Sequence, residues 1–404
     1  MLRVLIADRL PDSARTRLQE AGCEVIVDPG LQGDTLTAAL AEHQPDALIV
    51  RSTKVNAAHI QAGRSLQLIV RAGAGTNTID TAAASARGVY VSNCPGMNAV
   101  AVAELTFAHI LNADRRVSDG VADLRAGRWE KKQYSKARGL KGRTLGVIGA
   151  GNIGQAVIAR ALAFEMRVVA WSRSLTPARA AELGVTLCAS AVEVARQADV
   201  LTVHLELSPA TRGFCGPAIF EALRPGATFI NTSRGELVDE EALAEAVRTK
   251  GVRAGLDVFH GEPAGDAAAW TPSLAALPGV YGTHHIGAST DQAQEAVADE
   301  AIRIVLVWAA TGDAPNCVNL AVKTKATHLL IVRHEDRVGV LATVLDIIRQ
   351  HNINVQQMEN IIFSGARAAS ARIQLESAPP DALLDHLRAQ DPVFDVKLVP
   401  LEVQ

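Results

Sequence analysis

The sequence predicts an α/β protein with two doubly wound parallel sheets and a smaller βαββαβ unit behind them. Three observations carry this expectation. Short apolar, β-rich runs alternate with helical patterns from Leu2 to Asn93. The alternation restarts at Thr144, with a glycine-rich turn directly behind its first strand. Beyond Thr324 the order of strands and helices changes.

The first series reads as strands Leu2–Ala7, Glu24–Asp28, Ala47–Val50, Leu68–Arg71 and Val89–Asn93, with helices Ser13–Ala21 and Thr35–Glu42 between the early ones. A long amphipathic helix is expected from about Asn98 to about Val117. The second series supplies strands Leu145–Ile148, Arg167–Trp171, Val200–Val203, Thr228–Asn231, Ala254–Asp257 and Val280–Thr283. The stretch from Asp291 to about Ala310 is strongly helical and is expected to cross back onto the first lobe. The second series would then be an inserted middle domain. Thr311 to Thr324 has loop composition. The tail reads as strand Thr327–Arg333, helix Val338–Gln350, strand Ile353–Phe363, a Ser364–Gly365 turn, strand Arg367–Leu375, helix Asp381–Ala389 and strand Phe394–Pro400, a ferredoxin-like order. The expected domains are 1–97 with 285–318, 98–284, and 325–404.

Composition narrows the function classes. The chain has 404 residues, 48% of them hydrophobic, enough for two or three domains. Its net charge is −3 with no long basic or acidic block, so neither nucleic acid nor an anionic membrane is an expected partner. Met1–Ala7 reads as a first strand rather than a signal peptide, and no apolar stretch is long enough to cross a bilayer. The five cysteines are scattered with no C-x-x-C pair, which argues against zinc and against a disulfide framework. A cytoplasmic protein without a metal is the expectation.

The chemistry begins at Leu145–Gly154, where a strand runs into Gly149, Gly151 and Gly154 and a helix opens behind them. This is the G-x-G-x-x-G dinucleotide fingerprint in a Rossmann-like setting. Gly149 permits the tight turn, Gly151 lets the backbone approach a pyrophosphate, and Gly154 lets the helix pack closely on the strand. The phosphates would meet the free N–H groups of the helix N-terminus. Three later segments carry polar residues at strand ends: Asn231–Gly235, Leu256–Pro263 and Thr283–Thr290. In an open α/β sheet these ends border the ligand crevice.

The fingerprint, S-R-G at 233–235, L-D-V-F-x-x-E-P at 256–263 and H-I-G-x-S-T at 285–290 stand in one order and spacing. In these motifs, and over essentially its whole length, the chain resembles the D-2-hydroxyacid dehydrogenases, with a tail similar to an ACT regulatory domain. The resemblance implies a flavodoxin-like substrate domain, a Rossmann domain for NAD and a homodimer or homotetramer. It is greatest to the branch acting on 3-phospho-D-glycerate, which implies oxidation to 3-phosphohydroxypyruvate at the first step of serine biosynthesis. An NADPH-dependent glyoxylate or hydroxypyruvate reductase is the alternative, and a non-catalytic cofactor sensor the remote one.

Carried over by position, Arg234 is implied to bind the substrate carboxylate through its planar fork. His285 is implied as general acid/base and Glu262 as the partner of its other ring nitrogen. Implied cofactor contacts are Gly149, Gly151, Asn152, Ile153, Gly154, Ser172, Arg173, His204, Thr232, Ser233, Asp257, His285 and Gly287, with Asp257 near the nicotinamide amide; a helix or turn cap is the alternative role for Asp257. Substrate contacts are implied at Arg51, Ser52, Arg71, Ala72, Gly73, Asn98, Arg234 and His285, with Arg51, Ser52 and Asn98 toward a phosphate. Lys131–Lys132 lies near a position that reaches a neighbouring subunit.

Two departures stand out. About 20 residues after the glycines, NAD enzymes place an acid on the ribose 2′-hydroxyl. Here Ser172 takes that place and Arg173 follows, so NADP, or use of both cofactors, stays open beside NAD. In the tail, His334, Asp336 and Asn354 resemble effector contacts for an amino acid. However, Asp336 and Val338 replace the Asn and Pro common in serine-sensing relatives. A purely structural tail is the other possibility.

Overall fold

The computed structural model describes residues 1–263 and 269–401. The chain divides into two units, Met1–Asn319 and Leu320–Gln404.

The first unit holds two parallel sheets. One comprises β1 (Arg3–Ile6), β2 (Glu24–Val27), β3 (Ala47–Val50), β4 (Leu68–Arg71) and β5 (Tyr90–Asn93), in the order β2-β1-β3-β4-β5. Side chains alternate between two apolar cores. Val4, Ile6, Ala47, Ile49, Leu68 and Val70 meet Ala14 and Leu18 of helix Asp12–Glu20 and Ala298, Ile302 and Val305 of helix Asp291–Thr311. Leu5, Leu48, Val50 and Ile69 meet Leu36 and Leu40 of helix Asp34–His43 and Ile60 of helix Ala57–Ala62. Burial on both faces explains why these strands read as unbroken apolar runs.

The other sheet comprises β6 (Thr144–Ile148), β7 (Arg167–Trp171), β8 (Thr186–Leu187), β9 (Val200–Val203), β10 (Thr228–Asn231), β11 (Arg253–Leu256) and β12 (Val280–Gly282). Its order is β12-β11-β10-β9-β6-β7-β8. Helices Ala99–Arg115 and Asn152–Ala163 cover one face through Ala103, Phe107, Ile110, Val157, Ile158 and Ala161. Strand order reverses between β1 and β3 in the first sheet and between β6 and β9 in the second, which places a crevice at each reversal.

Two details differ from the sequence expectation. The two-residue edge strand β8 has too short an apolar run to announce itself. The long helix expected to reach about Val117 stops at Arg115, because Arg116 takes φ 55 and a second helix, Val117–Arg125, begins. No glycine marks that break.

The second unit is a four-stranded antiparallel sheet of β13 (His328–Glu335), β14 (Val355–Ile362), β15 (Ala368–Leu375) and β16 (Val393–Pro400), in the order β14-β15-β13-β16. Helices Val340–Gln350 and Asp381–Arg388 share its core through Val344, Ile348, Leu383 and Leu387. The first helix opens at Val340 rather than Val338 because Gly339 takes φ 91. Among the described residues no helix is long and apolar enough to cross a membrane.

A candidate active site between the two parallel sheets

The strand ends of both sheets border one cleft of about 1450 Å³. The fingerprint lies at the β6/β9 reversal. Gly149 has φ +97, and a Cβ there would lie 2.3 Å from the His204 carbonyl oxygen. A Cβ on Gly154 would lie 2.1 Å from the Gly149 oxygen, whereas one on Gly151 would meet nothing within 4 Å. Two glycines are thus demanded by the protein's own packing, and the third leaves space. Helix Asn152–Ala163 starts on Gly151 without a side-chain cap, so its first N–H groups remain for an anion. Asn152 reaches toward the loop at Gly96, where a Cβ would come within 2.7 Å of its Nδ2. Ile153 and His204 line the cleft. His204 Nε2 sits 3.0 Å from Thr202 Oγ1, its Nδ1 is enclosed without a partner among the described residues, and burial pushes the ring's pKa down to about 3. Open backbone N–H groups, the space at Gly151 and this orphaned nitrogen fit a dinucleotide.

The other implied cofactor residues have distinct settings. Ser172 and the exposed Arg173 directly follow β7, and among the described residues Arg173 has no ion pair. Thr232 Oγ1 lies 3.0 Å from Thr106 Oγ1, and the Ser233 hydroxyl donates to the Val203 carbonyl at 2.9 Å, so both hydroxyls serve internal contacts.

His285 and Glu262 pair directly, with Glu262 Oε1 on His285 Nδ1. Burial alone would raise the Glu262 pKa. The hydrogen bond and charge of His285, the Phe259 N–H and the Arg234 charge outweigh it and hold the carboxyl below its usual range. His285 has φ 54, uncommon for a residue with a Cβ. Asp257, 1% exposed, builds that turn. Its carbonyl accepts from His285 N at 2.8 Å. Its carboxylate accepts from Ile286 N at 2.9 Å, Gly287 N at 2.8 Å and the Thr283 hydroxyl at 2.6 Å. Asp257 therefore caps the turn with both oxygens.

Arg234 is placed by Asn231, which donates from Nδ2 to the Arg234 carbonyl at 2.8 Å and accepts from Ser233 N at 3.0 Å. Its Nη2 lies over Gly75, 3.0 Å from where a Cβ would stand. Arg71, at the end of β4, lies over Gly73, whose φ is +148 and whose Cβ would collide with the guanidinium. Burial, then the charges of Arg234 and Arg51, pulls the Arg71 pKa down to about 10. It stays protonated at neutral pH, with its Nε buried and without a partner among the described residues. Ala72 and Asn98 line the same cleft. This cluster of positive charge calls for a bound anion.

The sequence did not single out Asp8, one of the residues that hold this loop set. Its carboxylate, 9% exposed, accepts from Arg51 N at 2.6 Å, Ser52 N at 3.1 Å, the Ser52 hydroxyl at 2.9 Å and Thr53 N at 3.0 Å. Gln294 accepts from Arg51 Nη1 at 3.4 Å. The signal for Asp8 was available, since it is the first charged residue past the buried β1 run. Nothing local marks Gln294, whereas Asn231 heads the polar strand-end segment Asn231–Gly235 read from the sequence.

In the second unit His334 is buried, with Nδ1 2.7 Å from the Glu335 carbonyl and Nε2 3.3 Å from Asn360 Oδ1. The exposed Asn354 donates to Glu376 at 3.2 Å. Asp336 follows β13, its N–H on the Arg367 carbonyl at 3.1 Å. Lys131 and Lys132 are exposed on the short helix Lys131–Tyr134. Among the described residues no group of three or more His, Cys, Asp or Glu is arranged to hold a metal ion.

Comparison with known proteins agrees with this geometry. Residues 107–287 match the family described as D-isomer specific 2-hydroxyacid dehydrogenase, NAD binding domain. The chain is 39% identical over 298 residues to a D-3-phosphoglycerate dehydrogenase of Methanocaldococcus jannaschii, covering 73% of this chain and 55% of that one. It is 37% identical over 306 residues to a hydroxypyruvate reductase of Thermotoga maritima, covering 74% and 96%. The crystal structure of the TT0316 protein from Thermus thermophilus superposes with a TM-score of 0.70 at 35% identity, covering 78% and 100%. The chain spans between half and two thirds of the length of the phosphoglycerate dehydrogenases it matches. With these relatives, the fingerprint, the Glu262–His285 pair and Arg234, the chain belongs to the D-isomer specific 2-hydroxyacid dehydrogenases and carries their NAD binding domain.

Proposed function

We propose that this protein oxidises the C2 hydroxyl of 3-phospho-D-glycerate to give 3-phosphohydroxypyruvate, the first step of L-serine biosynthesis. The observation that carries this reading is the cluster of Arg71, Arg234 and Arg51 facing the Glu262–His285 pair. A substrate with a carboxylate and a phosphate supplies the charge that cluster lacks. Arg234 and the Gly73–Gly75 backbone receive the carboxylate, while the Arg51 guanidinium and Asn98 receive the phosphate; Ser52, expected there from the sequence, instead gives both its N–H and its hydroxyl proton to Asp8 and holds the loop. His285 takes the hydroxyl proton on Nε2 while Glu262 holds Nδ1 and fixes the tautomer. Gly149, Gly151, Asn152, Ile153, Gly154 and His204 hold the dinucleotide, with Thr232, Ser233, Asp257 and Gly287 shaping the wall beside it. NAD held there would supply the acceptor for the hydride leaving C2.

One observation favours a second reading. Ser172–Arg173 leaves no carboxylate against a 2′-phosphate and puts a free guanidinium beside it, which suits NADPH-dependent reduction of glyoxylate or hydroxypyruvate. Initial rates at 340 nm separate the two. The test pairs 3-phosphoglycerate with NAD and with NADP, and runs glyoxylate, hydroxypyruvate and phosphohydroxypyruvate with NADH and with NADPH. Preference for the phosphorylated pair supports the first reading. Preference for unphosphorylated acids with NADPH replaces it with the second and removes the phosphate role from Arg51 and Asn98.

We further infer a cytoplasmic homodimer built on the nucleotide-binding region near Lys131–Lys132, extended to a tetramer by the C-terminal units. Those units take an amino-acid effector; His334 and Asp336 stand beside Ala369 and Arg367 at one end of β15 and Asn354 beside Glu376 at the other, so one effector reaches both only across two units. Sedimentation with and without L-serine tests both points.

A further inference from the structure

Helix Ala99–Arg115 presents Val102, Thr106 and His109, successive positions on one helical face, to two strand-end loops, those after β10 and β12. Val102 Cγ2 lies 3.5 Å from where a Cβ of Gly287 would stand, Thr106 meets Thr232, and His109 Nε2 lies 3.0 Å from Thr283 Oγ1. His109 is 4% exposed. The strand beneath it is shaped to admit the ring, since a Cβ on Gly255 would come within 2.6 Å of His109 Cβ.

The direction of the hydrogen bonds follows from proton counting. The Thr283 hydroxyl has one proton and gives it to Asp257 Oδ1 at 2.6 Å. It can therefore only accept from His109, which fixes the Nε2–H tautomer. Burial lowers the His109 pKa, against an opposing pull from Asp257, so the ring stays neutral at working pH. Asp257 in turn holds Ile286 N, Gly287 N and the left-handed turn at His285.

We propose that His109 is a positioning residue for the C2 oxidation: through Thr283 and Asp257 it fixes the turn that aims the His285 ring. This rests on the reading of His285 as the proton acceptor. The residue acts across the helix-to-sheet interface and touches no reacting atom.

Single-turnover hydride transfer is measured in His109→Leu, Thr283→Val, their double variant and His109→Gln, whose amide can replace the Nε2–H donor. The two single variants are expected to slow transfer about tenfold with KM and cofactor Kd within about twofold of wild type. The double variant is expected to be no slower than the slower single, because both break one chain. His109→Gln is expected to recover most of the rate. Additive losses in the double variant, or equal losses from Leu and Gln, overturn the proposal. So does a loss that lies in KM alone. A second measurement needs no turnover: the NMR signal of the His285 ring Cε1–H, assigned by its absence in His285→Gln. It is expected to move in His109→Leu and in Thr283→Val and to return in His109→Gln. An unmoved signal overturns the proposal. Inactive wild-type protein on every 2-hydroxy acid refutes the functional reading while this signal still decides the positioning role.

Discussion

Gly151→Ala and Gly154→Ala separate the two roles that glycine plays in the fingerprint. Gly151 sits at φ −74, ψ −163, a conformation open to alanine, and a Cβ there meets nothing. Restricting the unfolded chain favours alanine by about 0.4–1 kcal/mol. Losing glycine at a helix N-cap opposes this by a comparable amount. The net change in stability is therefore expected within about 0.5 kcal/mol of zero. The same methyl stands where a pyrophosphate must approach, so the Kd for NADH is expected to rise at least about tenfold, or about 1.4 kcal/mol. Gly154→Ala is the reverse case. Its Cβ would lie 2.1 Å from a backbone oxygen at the strand end, which no rotamer change relieves. Overpacking of this kind costs about 1–3 kcal/mol, and a drop of a few degrees in Tm is expected. Differential scanning calorimetry without cofactor and fluorescence titration with NADH measure the two quantities. If Gly151→Ala melts as early as Gly154→Ala, or binds NADH as wild type does, the assignment of space at Gly151 to the cofactor is wrong.

Three further outcomes follow from the site. Asp257→Asn puts an amide NH₂ against one of three donors, so a loss of about 1–3 kcal/mol in stability and a larger loss in turnover are expected by urea unfolding and initial rates. His204 has a folded pKa of about 3, below its ordinary value, so the unfolded chain binds a proton that the folded chain refuses. Stability contributed by the neutral ring is present above about pH 6.5 and is lost as pH falls toward about 3, at up to about 1.4 kcal/mol per pH unit. His204→Gln is expected to flatten that limb in unfolding curves taken across the window. Arg71→Met removes a buried charge held beside Arg234 and Arg51. The variant is expected to melt above wild type without ligand and, on the proposed reading of 3-phosphoglycerate as substrate, to lose the Tm rise expected of wild type with it and to raise its KM at least about tenfold. A variant less stable than wild type would show that Arg71 is already compensated.

The classes of element and the chemistry-bearing motifs are legible in the chain alone. Strands buried on both faces, such as Ala47–Val50 and Val200–Val203, must be apolar throughout, so their runs are visible without a partner. The fingerprint glycines are equally legible, because backbone conformation and close approach are local demands. The polar strand-end segments are legible too, and the resemblance of their motifs to one family is what singles out Arg234, Glu262 and His285 within them. Which residues hold these in place emerges only from contacts made in three dimensions. Asp8, Gln294 and His109 escape the sequence reading, and each acts through partners far off along the chain, as Arg51 with Gln294 and His109 with Thr283 illustrate. The charge crowding at Arg71 likewise arises only when strand ends of two sheets meet across one cleft. A hydrogen bond or a repulsion between distant segments leaves no periodicity in the chain, because its strength depends on distance in space and not on spacing along the backbone.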